Sequence, residues 1–131
     1  MNLKHVFPAQ PSSIAAARHL ALQGLTSTPM ANREAIALVV SELATNAVQH
    51  ARTSFVLRLE LVDESLRIEV FDDGDGTPEM LDPRPDTPRG RGLLIVNKMA
   101  DEWGVEPASD GNGKHVWARF ALRGGPSTRY R

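Results

Sequence analysis

The stretch SFVLRLELVDESLRIEVF, residues 54–71, decides the fold class of this chain. Apolar and polar residues alternate through both halves, which is the pattern of β-strands with one buried face. The apolar positions that share this face are Phe55, Leu57, Leu59, Leu61, Leu66, Ile68 and Val70. The polar tripeptide 63–65 between the halves predicts a tight turn, so the two strands form an antiparallel hairpin. Consecutive strands joined in this way argue against a doubly wound parallel sheet.

Patterns on either side of the hairpin predict the remaining elements. These are strands over 3–7, 103–107 and 114–122 and helices over 11–24, 30–51 and 92–102. In the first helix, we expect Ser12 or Ser13 to cap the start and Gly24 to end it in a left-handed conformation. The order of elements predicts a two-layer α/β sandwich, in which a mixed, mostly antiparallel sheet carries three helices on one face.

The composition limits the classes of protein to which the chain can belong. Its 131 residues suit a single domain, predicted over 1–122, with a flexible basic tail at 123–131. The net charge is −1 and no run reaches the roughly 18 apolar residues of a membrane span, so we expect neither direct nucleic-acid binding nor a membrane partner. The absence of cysteine excludes disulfides, and the first ten residues lack the apolar core of a signal peptide. We therefore expect a soluble cytoplasmic protein.

A column of polar residues interrupts the apolar second helix. In SELATNAVQH, residues 41–50, Glu42, Asn46 and His50 recur every four residues and therefore project from one helix face. Polar residues at this spacing are also typical of the solvent side of an amphipathic helix. Asn46, however, lies among apolar residues, and asparagine is unfavourable inside a helix. A column that lines a cavity would explain this position, and from this segment alone both interpretations stay open.

A second candidate segment is VFDDGDG, residues 70–76, where a strand runs directly into Asp72. A calcium loop is rejected, because placing Gly76 at the sixth position of such a loop puts Phe71 at the first, where a ligand is needed. An ordinary Asp/Gly turn stays open. The functional alternative is an acidic residue at a strand end, with Gly74 and Gly76 letting the backbone approach a flat ligand closely.

The third candidate segment is GRGLLIV, residues 90–96, at the expected start of the last helix near Gly92. Exposed N–H groups and the helix dipole suit a helix N-terminus to anion binding, and Arg89 and Arg91 add positive charge. The segment lacks the third glycine of a dinucleotide fingerprint and the Gly-Lys-Ser/Thr of a P-loop. Together, the three segments supply groups for a metal, a base amine and phosphates, which indicates a nucleotide site.

These segments resemble the motif boxes of one ATP-binding superfamily. ELATNAVQHA is similar to the N box, VFDDGDG to the first glycine box, and GRGLLIVNKMADEWGV to the second glycine box with its helix. Their order resembles the GHKL superfamily of gyrase, Hsp90, sensor histidine kinases and MutL, whose ATP-binding domain has the Bergerat fold. Within that superfamily the chain looks most like the small anti-sigma-factor serine/threonine kinases, over residues 3–122.

The resemblance implies a role for each matching residue. Asn46 would bind Mg²⁺, and Glu42 would act as the catalytic base or orient the attacking hydroxyl. Asp72 would accept a hydrogen bond from the adenine amino group of ATP. The other implied cofactor-binding residues are Gly74 and Gly76 along the base, Gly90 and Gly92 at the phosphates, and also Arg91, Leu93, His50 and His115.

His115 marks a departure from the family pattern. The family usually has threonine after Gly-Lys near the last strand, where its hydroxyl supports the adenine site, and this chain has His115 in GNGKHVW. The resemblance implies transfer of the γ-phosphate of MgATP to a serine or threonine of a STAS-domain anti-anti-sigma partner, or binding of a sigma factor. It also implies that the chain can form a homodimer. The alternative is a non-catalytic ATP-binding module whose partner binding is switched by nucleotide.

Overall fold

The computed structural model describes residues 2–25, 30–74, 88–109 and 111–122, with the backbone alone at 30, 31, 50 and 88–92. The strands are β1 (Asn2–Phe7), β2 (Phe55–Val62), β3 (Ser65–Asp72), β4 (Glu102–Pro107) and β5 (Lys114–Ala121). The helices are α1 (Ser12–Gln23), α2 (Met30–Thr45), which continues into a π-helix over Asn46–Ala51, and α3 (Pro88–Met99). The predicted order of elements and the two-layer α/β fold are confirmed.

The five strands form one sheet in the order β1-β2-β3-β5-β4. Every neighbouring pair in this order is antiparallel, so the sheet that we expected to be mixed is antiparallel throughout. The two packed helices between β1 and β2 return the chain to the end of the sheet that it left. The predicted hairpin closes through Asp63 and Glu64, and Asp63 has a left-handed φ of 56°, as tight hairpin turns require.

The helices cover one face of the sheet, and the hydrophobic core lies between the two layers. Every second residue of β3 and β5 is buried, as the alternating pattern predicts. The apolar side of α2 packs onto this face through Ile36, Val39, Val40, Leu43 and Ala44, all of them at most 1% exposed. The opposite face, which we call the helix-free face, carries the intervening strand residues, among them Arg58, Arg67, Glu69, His115 and Trp117.

The helix ends differ from the sequence-based expectations in three places. Neither serine caps α1: the hydroxyl of Ser13 donates instead to the Pro8 carbonyl at 2.7 Å. Gly24 ends α1 with a φ of −82°, which is right-handed rather than left-handed. The last helix begins at Pro88 instead of near Gly92, since proline is favoured in the first turn, where its missing N–H is not needed.

Within the described ranges, none of the helices has the length and apolar character that crossing a membrane requires. The predicted tail at 123–131 lies outside the described residues.

Candidate functional site

The carboxylate of Asp72 is buried at the end of β3, under the helical layer. Its side chain points to the same side of the sheet as Ile68 and Val70 because residues two apart on a strand share a face. Asp72 is 2% exposed, and its Oδ1 accepts two hydrogen bonds. One comes from the N–H of Gly74 at 2.9 Å, and the other comes from Nζ of Lys114 at 2.8 Å. These two donors compensate the carboxylate for the loss of water.

Lys114 supplies the countercharge for Asp72 and is itself 8% exposed. The register of β3 and β5 places Lys114 directly opposite Asp72, at the first position of β5. None of the three candidate sequence segments contains this residue. Its signal is present nonetheless: in KHVWARFA the buried positions are Val116, Ala118 and Phe120, and Lys114 falls in the same alternation. A lysine at a buried strand position requires a partner.

Two glycines let neighbouring backbone approach Asp72. A Cβ on Gly113, which has a φ of 98°, would lie 2.3 Å from the carbonyl oxygen of Asp72. A Cβ on Gly74 would lie 2.5 Å from the Cβ of Ala51, in the π-helix. Both distances are too short for a side chain, so these glycines hold the β4–β5 turn and the π-helix against the end of β3. The close approach at Gly74 is to the π-helix, and its predicted approach to a flat ligand stays a prediction.

The π-helix over Asn46–Ala51 widens the end of α2 next to Asp72. Two side chains in the preceding turn bond back to the helix, the Ser41 hydroxyl to the Ala37 carbonyl at 2.9 Å and the Thr45 hydroxyl to the Ser41 carbonyl at 2.7 Å. Such back-bonding bends helices, and π-turns inside helices are frequent at functional sites. Arg52 closes the segment with a left-handed φ of 60°. Sequence periodicity had predicted one uniform helix over this region.

Asn46, the first residue of the π-helix, is 8% exposed, and its Nδ2 is buried without a hydrogen-bond partner in the described part of the chain. A buried amide group that lacks a partner is rare and needs an explanation, such as a ligand that the site binds. Glu42 lies one α-helical turn earlier and is half-buried. The cavity-lining interpretation of this helix face therefore agrees better with the burial of Asn46 than the interpretation as a solvent side.

The prediction that His50 shares a face with Glu42 and Asn46 relied on α-helical spacing. That spacing ends at Asn46, because the π-helix has wider turns and its N–H groups bond five residues back, as Arg52 does to Ala47 at 2.8 Å. The backbone of His50 belongs to the π-helix, and its side chain lies outside the described residues. The four-residue column is thus interrupted after its second member.

The structure does not bring His115 to Asp72. Neighbouring residues on a strand point to opposite faces, so His115 lies on the helix-free face while Lys114 lies beneath the helices. The His115 Nδ1 donates to Oε2 of Glu69 at 2.9 Å, and its ring lies 4.7 Å from that of Phe71. The residue beside Asp72 is therefore Lys114 and not His115, although the resemblance implied His115 as a cofactor-binding residue.

Glu69 lies at the centre of the cluster on the helix-free face. Burial acts to raise the pKa of Glu69, but the hydrogen bonds and positive charges of His115 and Arg67 outweigh it, so the pKa lies below its ordinary value of 4.5. The Arg67 Nη2 is 3.2 Å from Oε1 of Glu69, and the guanidinium of Arg67 lies 4.5 Å from the ring centre of Trp117. This cluster is separated from Asp72 by the thickness of the sheet.

The second glycine segment contributes the start of α3. Gly90, Arg91 and Gly92 belong to the first turns of this helix, and their side-chain surroundings lie outside the described residues. Leu93 is 1% exposed and belongs to the hydrophobic core, so its side chain fixes α3 in place. The helix contacts both α2 and the π-helix. Gly76 also lies outside the described residues.

Comparison with solved structures supports the fold. The RsbU and RsbW domains of Rv1364c from Mycobacterium tuberculosis match with a TM-score of 0.73 and 18% identity, over 93% of this chain and 32% of that chain. The chain thus spans about a third of the length of that protein. The SiaB–SiaC complex from Pseudomonas aeruginosa matches with a TM-score of 0.67 and 13% identity, over 90% of this chain and 89% of the matched chain.

A third likeness is to the histidine kinase domain of a blue-light activated histidine kinase from Erythrobacter litoralis. Its TM-score is 0.55 at 30% identity, over 72% of this chain and 46% of that chain. Comparison of the sequence with curated proteins finds no match. The model of one family, the histidine kinase-like ATPase domain, matches residues 7–120. The chain, with a buried aspartate at the end of β3 and a π-helix beside it, belongs to the family of histidine kinase-like ATPase domains.

Proposed function

We propose that this chain is an ATP-binding regulator of the anti-sigma type, which transfers the γ-phosphate of MgATP to a serine or threonine of a STAS-domain partner. The observation that carries the proposal is the buried Asp72 carboxylate, fixed by Gly74 and Lys114 beside the π-helix that contains Asn46. Family membership implies ATP binding. The likeness to the RsbW-containing protein and to the SiaB–SiaC complex supports a regulator that acts on a protein partner.

The base of ATP is proposed to bind at Asp72. Both described hydrogen bonds to this carboxylate end on Oδ1, and none of the described residues donates to Oδ2. We propose that Oδ2 accepts the exocyclic amino group of adenine.

The metal and phosphates are proposed to bind between the π-helix and the start of α3. Mg²⁺ prefers oxygen ligands and is usually held by one or two protein groups together with phosphates. Oδ1 of the buried Asn46 side chain would be the metal ligand, and Nδ2, which has no partner among the described residues, would donate to a phosphate oxygen. The metal would neutralise the charge of the transferred phosphoryl group. Because α3 begins at Pro88, its first free N–H groups come from residues 89–91, next to Gly92.

Glu42 is proposed as the catalytic base for the partner's hydroxyl. It lies one helical turn before Asn46 and is half-buried, so a hydroxyl that approaches the metal-bound phosphate would also be near this carboxylate. Among the residues that the structure describes, no hydroxyl group is singled out as the acceptor. The acceptor therefore comes from a partner protein, for which a STAS domain is the proposed class.

The proposal is tested by phosphate transfer from radiolabelled ATP to a candidate STAS-domain partner. We expect E42A to bind MgATP like the wild type but to lose transfer by about 10²-fold or more, as expected for loss of a general base. N46A should weaken nucleotide binding in Mg²⁺ but change it little in EDTA. E34A removes an exposed carboxylate from the same helix and should alter neither. Equal binding of MgATP by N46A and the wild type would exclude the proposed metal site.

The second candidate function is a non-catalytic module whose partner binding is switched by nucleotide. The match to the SiaB–SiaC complex favours it, since partner binding alone is enough for such an assembly. The same experiment separates the two functions: bound ATP with no label on any partner, together with a partner affinity that depends on MgATP, supports the second and excludes the first.

A further inference from the structure

Arg58 on the helix-free face has no ion pair or side-chain hydrogen bond within the described part of the chain. It lies opposite Glu69 of β3, but both oxygens of that carboxylate are already bonded, Oε1 to Arg67 and Oε2 to His115. On its other side Arg58 lies opposite Lys4 of β1, which carries a like charge. Like charges directly opposite each other on neighbouring strands are destabilising, so an anion supplied from outside the chain would stabilise this position.

Glu60 is the matching unpaired anion, two residues further along β2. The register places it opposite Arg67, but the guanidinium of Arg67 bonds Glu69 at 3.2 Å and approaches Glu106 at 3.7 Å. None of the described residues makes an ion pair with Glu60. Arg58, Glu60, Arg67 and Glu69 together line a recess of about 220 Å³ in the helix-free face. The recess therefore has room for further side chains between one unpaired cation and one unpaired anion.

The charges of β2 and β3 change sign across the level of Leu59. Arg58 and Glu60 lie one residue to either side of Leu59, and the register places Glu69 beside Arg58 and Arg67 beside Glu60. Consider two copies whose helix-free faces meet, related by a two-fold axis that crosses the strands at this level. Each strand then lies over its own copy, which runs in the opposite direction. Arg58 faces Glu60 of the second copy and Glu69 faces Arg67 of the second copy, so each charge of this group meets an opposite charge.

Apolar side chains of β2 follow the same symmetry. Val56 and Val62 lie three residues to either side of Leu59, and they face away from the helices like Arg58 and Glu60, because residues two apart on a strand share a face. Val62 is 58% exposed, and the two-fold axis places it over Val56 of the second copy. The five strands of the face span roughly 20 Å by 25 Å. A face of this size can supply the about 800 Å² of surface that a stable interface buries on each partner.

We propose that the helix-free face is the interface of a homodimer, in which Arg58 of each copy pairs with Glu60 of the other. An interface about a two-fold axis must be complementary to itself, so that a contact between two different residues occurs twice. The charge pattern of β2 and β3 meets this requirement, which a surface for an unrelated protein does not need to meet. The inference is independent of the proposed function, because Asp72 lies on the opposite side of the sheet and is not covered by the second copy.

Sedimentation equilibrium of the full chain at several concentrations tests the proposal through the dissociation constant of the dimer. R58E and E60R each place like charges opposite one another at two symmetric points, so each should raise this constant by about tenfold or more. The double variant R58E/E60R restores both pairs of opposite charge and should return the constant to within about threefold of the wild type. K98E and E34R make the same changes of charge at exposed positions of the helical layer and should leave the constant unchanged.

A wild type that stays monomeric, or a dimer that both R58E and E60R leave intact, overturns the proposal. Weakening by both single variants without rescue in the double variant refutes the pairing of Arg58 with Glu60. V62D takes the place of a single variant that does not unfold cooperatively, and it should weaken the dimer by about tenfold or more, because it buries a charge against Val56 of the second copy. Isothermal titration with MgATP separates this inference from the proposed function: a dimer that does not bind MgATP would refute the function and support the interface.

Discussion

At the scale of single residues, two glycines in the β4–β5 turn offer a matched test of how tightly the turn packs against Asp72. Gly111 and Gly113 both have positive φ, at 82° and 98°. A Cβ on Gly111 would meet nothing within 4 Å, whereas one on Gly113 would lie 2.3 Å from the Asp72 carbonyl oxygen. Both positions share the conformational strain of a positive φ, but the collision is specific to Gly113.

We expect G111A to lower the free energy of unfolding by about 1 kcal/mol and G113A to lower it by about 2–4 kcal/mol, because overpacking adds to the strain. Urea unfolding of both variants measures the difference. G113A should also weaken MgATP binding, since its collision displaces Asp72, and G111A should not. Equal destabilisation of the two variants would show that the turn does not press against the end of β3.

The sequence predicts an aspartate at the end of β3, where Asp72 lies, but it does not predict the partner of this residue. An aspartate that follows an alternating strand and precedes two glycines is a local pattern, and Asp72 with Gly74 lies where that pattern predicts. Lys114 was missed because lysine is usually exposed and because its role depends on the pairing of β5 with β3. Local periodicity does not set which strands pair. The same register separates His115 from the site, although it is adjacent to Lys114 in sequence.

At the scale of elements, the contact between the π-helix and the end of β3 is set by small side chains. A methyl group on Gly74 would lie 2.5 Å from the Cβ of Ala51. We expect G74A to push the π-helix away from β3 and to destabilise the protein by about 1–3 kcal/mol, the usual cost of overpacking. Nucleotide affinity should fall as well, because Gly74 also donates to Asp72.

The double variant A51G/G74A tests this mechanism directly. Removing the Ala51 methyl group relieves the shortest contact, so the double variant should be less destabilised than the sum of its two single variants. Chemical denaturation of all four proteins gives the coupling free energy. Simple additivity would mean that G74A acts through the conformation of its own loop and not through the π-helix.

The cluster on the helix-free face makes a separate prediction about acid stability. The pKa of Glu69 is held below 4.5 by His115 and Arg67. A carboxylate whose pKa is lower in the folded than in the unfolded state stabilises the fold fully at any pH above its unfolded-state pKa. This stabilisation is lost as the pH falls through the folded-state pKa. Stability should therefore fall with decreasing pH below about 4.5, and E69Q should flatten this acid limb.

The matched control for E69Q is E106Q. Glu106 also faces Arg67, at 3.7 Å, but its side chain is 62% exposed, so water screens the pair. Urea unfolding between pH 3 and 7 should give E106Q the same acid limb as the wild type. If E69Q retains the full acid dependence, the loss of stability comes from other carboxylates.

The helices show where periodicity predicts structure and where it fails. The apolar stripe of α2 correctly predicts a helical segment that ends at Ala51, because a 3.6-residue period of apolar residues indicates a helix with one buried face. The apolar period does not predict the change to a π-helix at Asn46. This change depends on the hydrogen bonds of the Ser41 and Thr45 hydroxyls to backbone carbonyls and on contact with β3. The glycines at 90 and 92 predict a helix start near Gly92, but α3 begins four residues earlier, at Pro88.

At the scale of the whole molecule, the candidate site lies at the junction of the two layers. Asp72 and Lys114 come from neighbouring strands near the centre of the sheet, and Asn46 comes from the helix that crosses it. The two-layer fold was predictable, since a hairpin with one apolar face needs a helical cover. The position of β5 between β3 and β4 was not predictable, because the pairing of β5 with β3 joins strands that are distant in sequence. The site depends on this non-local pairing.

A site built across both layers should stabilise the whole fold when it is occupied. A ligand that binds only the folded state raises the free energy of unfolding by about 2.7 kcal/mol at about 100 times its Kd. For a domain of this size that corresponds to a rise in Tm of roughly 10 °C. We expect MgATP to produce this shift in the wild type and in E42A, because Glu42 is assigned to transfer and not to binding.

The decisive comparison is D72N against D73N. Both changes neutralise one aspartate, but Asp72 is 2% exposed and bonded to Lys114, whereas Asp73 is exposed at the next position. D72N should unfold at a lower temperature without nucleotide, since it leaves the Lys114 ammonium without its countercharge. Its further shift with MgATP should be lost, while D73N keeps the shift of the wild type. Because each variant is compared with itself with and without MgATP, the loss of intrinsic stability does not enter the result. An undiminished shift in D72N would place the nucleotide elsewhere on the molecule and would leave the buried Asp72–Lys114 pair with a purely structural role.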